Sequence, residues 1–219
     1  MHRLLFQKKG NAIWISHLDL MRLFQRAFKR AGLHLKHTQG FNPRPSVSIA
    51  LPLSVGVESE CELLEFELDG QELPCDEIKA RLNPALTAGI TVSEVYESGR
   101  KYRDLSLLLC EITLRYDREV QDDIIDRLAT LFNRTELVLP KKTKNGIQDQ
   151  DIISMIRRID FSLEDVHTVK ATALICCQNP TLNPGQIPLA ISTYLPELAP
   201  SYCKCRRLEI YDPQENVFR

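Results

Sequence analysis

The residues best suited to chemistry cluster early in the chain. Ser16-His17-Leu18-Asp19 stands where a polar cap meets an apolar, helix-periodic run. An imidazole is the side chain that ordinarily titrates nearest neutrality, so His17 is a candidate general base, or a hydrogen-bond donor to a ligand. The competing reading is capping, in which Ser16 and Asp19 satisfy the first turn and His17 packs. Positions 17 and 19 do not face each other on a helix. His37, ahead of the loop Gly40-Phe41-Asn42-Pro43-Arg44-Pro45, approaches His17 if the second strand pairs beside the first. That grouping would suit acid–base chemistry beside an anion, with His17 as base, His37 as acid, and Arg22 and Arg44 supplying charge. It requires loop 40–45 to fold over the N-terminal end of the helix. A His-His-Asp set also resembles a metal site, but no spacing demands one, and neither metal nor cofactor is expected.

Loop 40–45 carries its own signal. Gly40 permits a positive φ, Asn42 precedes Pro43, and Arg44 projects between two prolines. A guanidinium held this way suits phosphate or carboxylate, and Asn42 beside it, with Ser16, Asp19 and His37, is a candidate to orient a ligand. The alternative is a plain strand connector. Charge is segregated along the chain. Residues 1–57 hold nine Lys or Arg and one acid, Asp19, whereas residues 58–82 hold nine acids and two bases. Arg22, Arg26, Lys29 and Arg30 share one helix face, without the carboxylates at four-residue spacing that solvated faces usually carry. An anionic partner is the expectation, with Lys141, Lys142 and Lys144 as a second basic set. No motif of exposed aromatics on central strands is present, and Phe24, Phe28 and Phe66 read as core.

These residues need elements to hold them. The 219 residues are 43% hydrophobic and 26% charged, ordinary for a globular chain and long enough for two domains. No apolar run approaches the roughly 20 residues of a membrane helix, and the first residues recharge too quickly for a signal peptide. A cytoplasmic location without membrane contact is expected. Seven cysteines without a C-x-x-C pair argue against a disulfide framework, zinc or an iron–sulfur cluster, and read as small core residues.

Patterning predicts a strand over 4–15 interrupted by a turn at 8–11, a helix after Ser16 ending at Gly32, strands at 47–53 and 62–68, a helix at 72–86 and a strand at 90–96. The second half repeats the order more faintly. It has a strand at 108–116, a helix at 120–133, a short strand at 137–139, a basic loop at 141–146 and a short helix or turn at 151–157. A strand at 169–177, a helix at 184–194 and a strand at 204–211 close it. The expected fold is α+β, two ferredoxin-like βαββαβ units in tandem at 1–98 and 107–219.

A family resemblance rests on longer strings. Ser16-His17-Leu18-Asp19-Leu20-Met21-Arg22, Arg26-Ala27, Arg30-Ala31-Gly32-Leu33, the Gly40-Phe41-Asn42-Pro43-Arg44-Pro45 loop, Ala50-Leu51-Pro52-Leu53 and Val55-Gly56-Val57-Glu58-Ser59 resemble the radical SAM-linked proteins. This is a bacterial domain of unknown function found beside, or fused C-terminally to, radical SAM proteins. Lys141-Lys142 and Asp151-Ile152 resemble its later basic loop and Asp-Ile step. The resemblance implies a non-catalytic accessory of a radical SAM enzyme. A gene neighbourhood with ribosomal proteins and a ribonuclease of the E/G type hints at RNA or a ribosome-related particle. Two rivals stand beside it. The element order is similar to the double ferredoxin-like endoribonucleases that process CRISPR repeats. That fold-level likeness implies the enzyme alternative, metal-free RNA cleavage by 2′-hydroxyl attack using His17, although no residue motif carries it over. The acidic stretch 58–77 would suit an adaptor docking the radical SAM partner.

Overall fold

The computed structural model describes residues 1–70, 72–97, 99–143 and 146–219, with residues 142 and 143 described by backbone alone. Two compact units divide the chain, Met1–Tyr102 together with Arg219, and Arg103–Phe218.

Unit 1 runs β1 (His2–Lys8), α1 (His17–Arg30), β2 (Val47–Ile49), β3 (Glu58–Phe66), α2 (Cys75–Leu82) and β4 (Ile90–Glu97). Its sheet has the order β4-β1-β3-β2, with every neighbouring pair antiparallel. Alternation along β1 sends Leu4 and Phe6 to the face covered by helices, where they meet Leu20, Phe24, Phe28, Leu64 and Phe66 in one buried cluster. Phe6 and Phe24 pack edge to face at 4.8 Å.

Local chemistry aims α1. Lys8 is buried, and its ammonium donates to the carbonyls of Ile13 (3.2 Å) and Ile15 (2.8 Å). This ties the short 3-10 turn Gly10–Trp14 to the end of β1 and delivers the chain to the helix start. There the Ser16 hydroxyl accepts from the Asp19 amide at 3.2 Å, a side-chain cap for an otherwise orphan N–H. The helix stops at Gly32, whose φ of +67° is left-handed. The Leu33 amide reaches back to the Phe28 carbonyl (2.9 Å) and the Gly32 amide to Lys29 (3.2 Å), a Schellman closure.

Unit 2 runs β5 (Leu107–Arg115), α3 (Ile124–Phe132), β6 (Val138–Thr143), β7 (Gly146–Asp151), β8 (Ile156–Asp165), β9 (Thr168–Cys176), α4 (Gln186–Tyr194) and β10 (Tyr202–Tyr211). Its sheet order is β10-β5-β9-β8, again antiparallel throughout, and β6 with β7 forms a separate hairpin. The sequence expectations are corrected at three points. The strand expected over 4–15 ends at Lys8, and Gly10–Trp14 forms a 3-10 turn instead. The strand expected at 137–139 opens β6 of that hairpin and takes no place in the main sheet. The short helix or turn expected at 151–157 is present as the 3-10 turn Ile153–Met155, but the ten-residue strand β8 that follows it is not among the expected elements. The hairpin also replaces the expected basic loop, with Lys141 opposite Gln148 and Lys142 opposite Ile147.

The expectation that the cysteines are small core residues holds for Cys61, Cys110 and Cys177, which are buried; Cys75, Cys176 and Cys205 are partly buried, and Cys203 is exposed.

Candidate nucleic-acid interface

The charge segregation of the sequence is largely undone by strand pairing. Of the nine bases in residues 1–57, Arg3 lies inside the unit, opposite Glu65 in the β1–β3 register and bonded to its carboxylate. Lys8 is spent on the carbonyls of Ile13 and Ile15. Lys9 meets Glu60 at 3.3 Å, and Lys36 meets Glu67 at 2.9 Å. That last contact holds Glu67 below the usual carboxylate range and raises the lysine. Arg22 pairs with Asp19 at 3.0 Å, and an Arg30 guanidinium nitrogen donates to the Ala85 carbonyl at 2.5 Å. Three cations remain. Arg26, Lys29 and Arg44 are exposed, and their side chains have no partner among the described residues.

Arg26 and Lys29 project from the outer face of α1, opposite Phe24, Ala27 and Phe28, which turn to the core. Arg44 sits on a closed hairpin. The Thr38 amide donates to the Arg44 carbonyl (2.8 Å), the Arg44 amide donates to the Thr38 hydroxyl (3.0 Å), and His37 bridges Pro45. Asn42 is exposed at the same tip, where Gly40 takes a φ of +135°.

Ser16, Asp19 and Arg22 come together as a cap. The Ser16 hydroxyl donates to Asp19 Oδ2 at 2.8 Å, and this bond, then Arg22, holds the Asp19 carboxyl below its usual range. His17 is half-buried, and its Nδ1 is buried with no hydrogen-bond partner among the described residues. His37 is exposed and lies past the other end of α1. The Lys36 amide donates to the Glu67 carbonyl, beyond the Phe66 end of β3, whereas Ser16 follows the Lys8 end of β1. Fourteen helical residues at about 1.5 Å each separate the two histidines by roughly 20 Å. The hairpin is tied at the far end, so it does not fold over the start of α1, and the His-His grouping is not formed. No cluster of three His, Cys, Asp or Glu suited to a metal occurs among the described residues. Lys141 is half-buried on β6, Lys142 is placed by its backbone only, and Lys144 lies outside the described residues.

Two residues escaped the sequence reading. Trp14 is 67% exposed at the end of the 3-10 turn, and Phe41 is fully exposed at the hairpin tip. A signal existed for Phe41, since a lone aromatic inside a Gly- and Pro-bounded turn has no apolar run to join. None marked Trp14, which sits next to an apolar residue ahead of a helix cap.

The fold and the site define a two-unit α+β protein with an exposed cationic surface on its first unit. The chain belongs to a family described as uncharacterized proteins conserved in bacteria (DUF2344), whose pattern matches residues 2–184. No curated protein matches it. Among solved structures, a chain of the crystal structure of a Cbf5-Nop10-Gar1 complex superposes with a TM-score of 0.50 at 10% identity, over 95% of this chain and 48% of that one. The protein thus spans about half the length of that relative, and at this identity the likeness is one of fold alone. An unknown protein from Galdieria sulphuraria aligns at 8% identity over 94% of this chain and 96% of that one, with a TM-score of 0.27. No described helix is long and apolar enough to cross a membrane.

Proposed function

We propose that this protein is a non-catalytic accessory that binds RNA, free or within a ribonucleoprotein, through the outer face of α1 and the hairpin at 38–44. The observation that carries this reading is the set Arg26, Lys29 and Arg44. All three are exposed, without a side-chain partner among the described residues, on a stretch of chain that has no Asp or Glu between residues 20 and 57. Arg22 and Arg30, each held at one end by a local contact, are secondary contributors, and Lys141, Lys142 and Lys144 form a separate basic set. The β4-β1-β3-β2 and β10-β5-β9-β8 orders support reading both units as ferredoxin-like, the second with the β6–β7 hairpin inserted. The sequence resemblance supplies the partner, a radical SAM enzyme to which this chain would present its substrate.

Neither rival gains from the geometry. The nuclease needs His37 near His17, and the two lie at opposite ends of α1. The adaptor needs an open acidic face; Glu60, Glu65, Glu67 and Glu77 each meet a cation of their own unit, which reduces that face to the exposed Asp69, Glu72 and Asp76. Fluorescence anisotropy with labelled RNA tests the proposal. Three phosphate contacts on a single strand give a slope of about −2 for log K against log salt. Arg26→Glu with Lys29→Glu should abolish binding with little change in melting temperature. Unchanged binding in that variant refutes the assignment. Co-purification of the radical SAM partner that survives nuclease tests the second half.

A further inference from the structure

We infer that the ligand of this surface is single-stranded nucleic acid, its bases stacked on Trp14 and Phe41 while its phosphates follow Arg26 and Lys29. The inference rests on the RNA-binding reading above and sharpens it. A duplex hides its base faces, so aromatics offered to solvent beside unpaired cations suit an unpaired strand.

Both aromatics are exposed; the Trp14 ring is held at one edge, and Phe41 is carried on a closed turn. The Trp14 ring lies against Gly56, where an added Cβ would stand 3.4 Å from Cζ3. Gly56 is itself fixed by its amide bond to the Ile13 carbonyl (2.9 Å) and by a φ of +84°. One edge of the indole is therefore braced against backbone, and most of the ring faces solvent. Phe41 tips a turn closed by the two bonds between Thr38 and Arg44, with the His37–Pro45 bridge below. A fully exposed phenyl in such a turn adds nothing to a core, so burial within the chain does not account for it.

The placement follows from the register. Trp14 belongs with the Lys8 end of β1, and the hairpin with the Phe66 end of β3, across from His2. α1 spans the distance, about 21 Å at 1.5 Å per residue. Along its exposed stripe run Leu18, Arg22 and Arg26 at four-residue spacing, then Lys29. The only carboxylate on this helix, Asp19, is already paired with Arg22. An acidic protein surface would meet the same cations, but it would have no use for an exposed aromatic ring at each end of the helix that carries them.

Trp14 is the sole tryptophan, so its emission reports the contact directly. The full-length protein is titrated with a 12-nucleotide uridine RNA and, separately, with that RNA annealed to its adenosine complement. The expected result is saturable quenching by the single strand and none by the duplex. Trp14→Ala and Phe41→Ala should each weaken single-strand binding about 5- to 150-fold, the stacking contribution of one base, without altering the salt slope. Trp14→Phe, which keeps a ring, should recover most of the affinity. Salt-dependent binding without quenching, unaffected by either alanine variant, overturns the stacking and leaves the RNA reading intact. No binding of either RNA overturns both. Loss of a co-purified protein in the alanine variants, with RNA affinity unchanged, assigns the aromatics to protein docking and also overturns the inference.

Discussion

Replacing Glu65 by Gln should unsettle unit 1 far more than removing the whole ion pair to which it belongs. Arg3 has no exposed surface. It bonds the Glu65 carboxylate, donates to the Arg100 carbonyl at 2.5 Å, and lies over the Tyr102 ring at 4.8 Å. The same enclosure raises the Tyr102 phenol well above its ordinary range, through burial and then through Glu65. Removing one member of a buried pair costs about 3–5 kcal/mol, because the other charge is left without compensation, whereas an apolar replacement of both is often neutral. Glu65 keeps 14% of its side chain in solvent, which favours the lower end, about 3 kcal/mol for Glu65→Gln. In a unit of this size that corresponds to a melting point lower by about 12–24 °C. The double variant Arg3→Met, Glu65→Met should stay within about 1 kcal/mol of the parent. Thermal and urea unfolding followed by Trp14 emission isolates unit 1. Equal loss in the single and the double variant would refute the reasoning, since the cost would then be lost packing and not an orphaned charge.

Other perturbations follow from equally local geometry. At Gly89 (φ +86°) an added Cβ would stand 2.4 Å from the Lys9 carbonyl oxygen and 2.9 Å from Ala12 Cβ, so Gly89→Ala should cost about 2–4 kcal/mol by urea unfolding. Asp151 Oδ1 accepts from the amides of Leu137 (2.8 Å) and Ile153 (3.1 Å), and Asp151→Ala should destabilise unit 2 by about 1–3 kcal/mol in calorimetry. Burial pushes that carboxyl up, but the amides of Leu137, Ile153 and Ser154 outweigh it and lower it overall. Its contribution is therefore complete above the ordinary carboxylate value of about 3.9 and lost as pH falls through the lowered folded value, which hydrogen exchange at Leu137 and Ile153 should register. The Tyr194 hydroxyl accepts from the Val138 amide (3.2 Å) and donates to its carbonyl (2.8 Å), so Tyr194→Phe should loosen the base of the β6–β7 hairpin, seen as faster exchange there.

Elements whose period is unbroken were legible in the sequence. α1 shows its Ser16 cap, its Leu20, Phe24, Ala27, Phe28 stripe and its Gly32 stop, and all three recur in the structure. β8 was not legible, because the register shifts between Ile156 and Arg158 and again between Leu163 and Asp165. A bulge places Ile156 and Ile159 three apart, which imitates a helical turn and destroys the alternation of two. The candidate site was half legible. The basic face of α1 could be read, but not which cations stay unpaired, because that depends on antiparallel partners more than 50 residues away, such as Arg3 with Glu65 and Lys9 with Glu60. The exposure of Trp14 depends on Gly56 bracing it from another loop.

The strand orders also bear on how the chain is made. In unit 1 the central strand β1 pairs with residues 58–66 and 90–97, so β1, made before either of them, has no partner until most of the unit exists. At about 5–20 residues per second, β1 waits roughly 5 to 20 seconds for β4. β5 faces a similar delay before β9 and β10 arrive. Vectorial synthesis lets the first unit close before the second presents its own unpaired strand. Dilution from denaturant exposes both at once, so refolding in vitro should aggregate more readily with rising protein concentration than synthesis does.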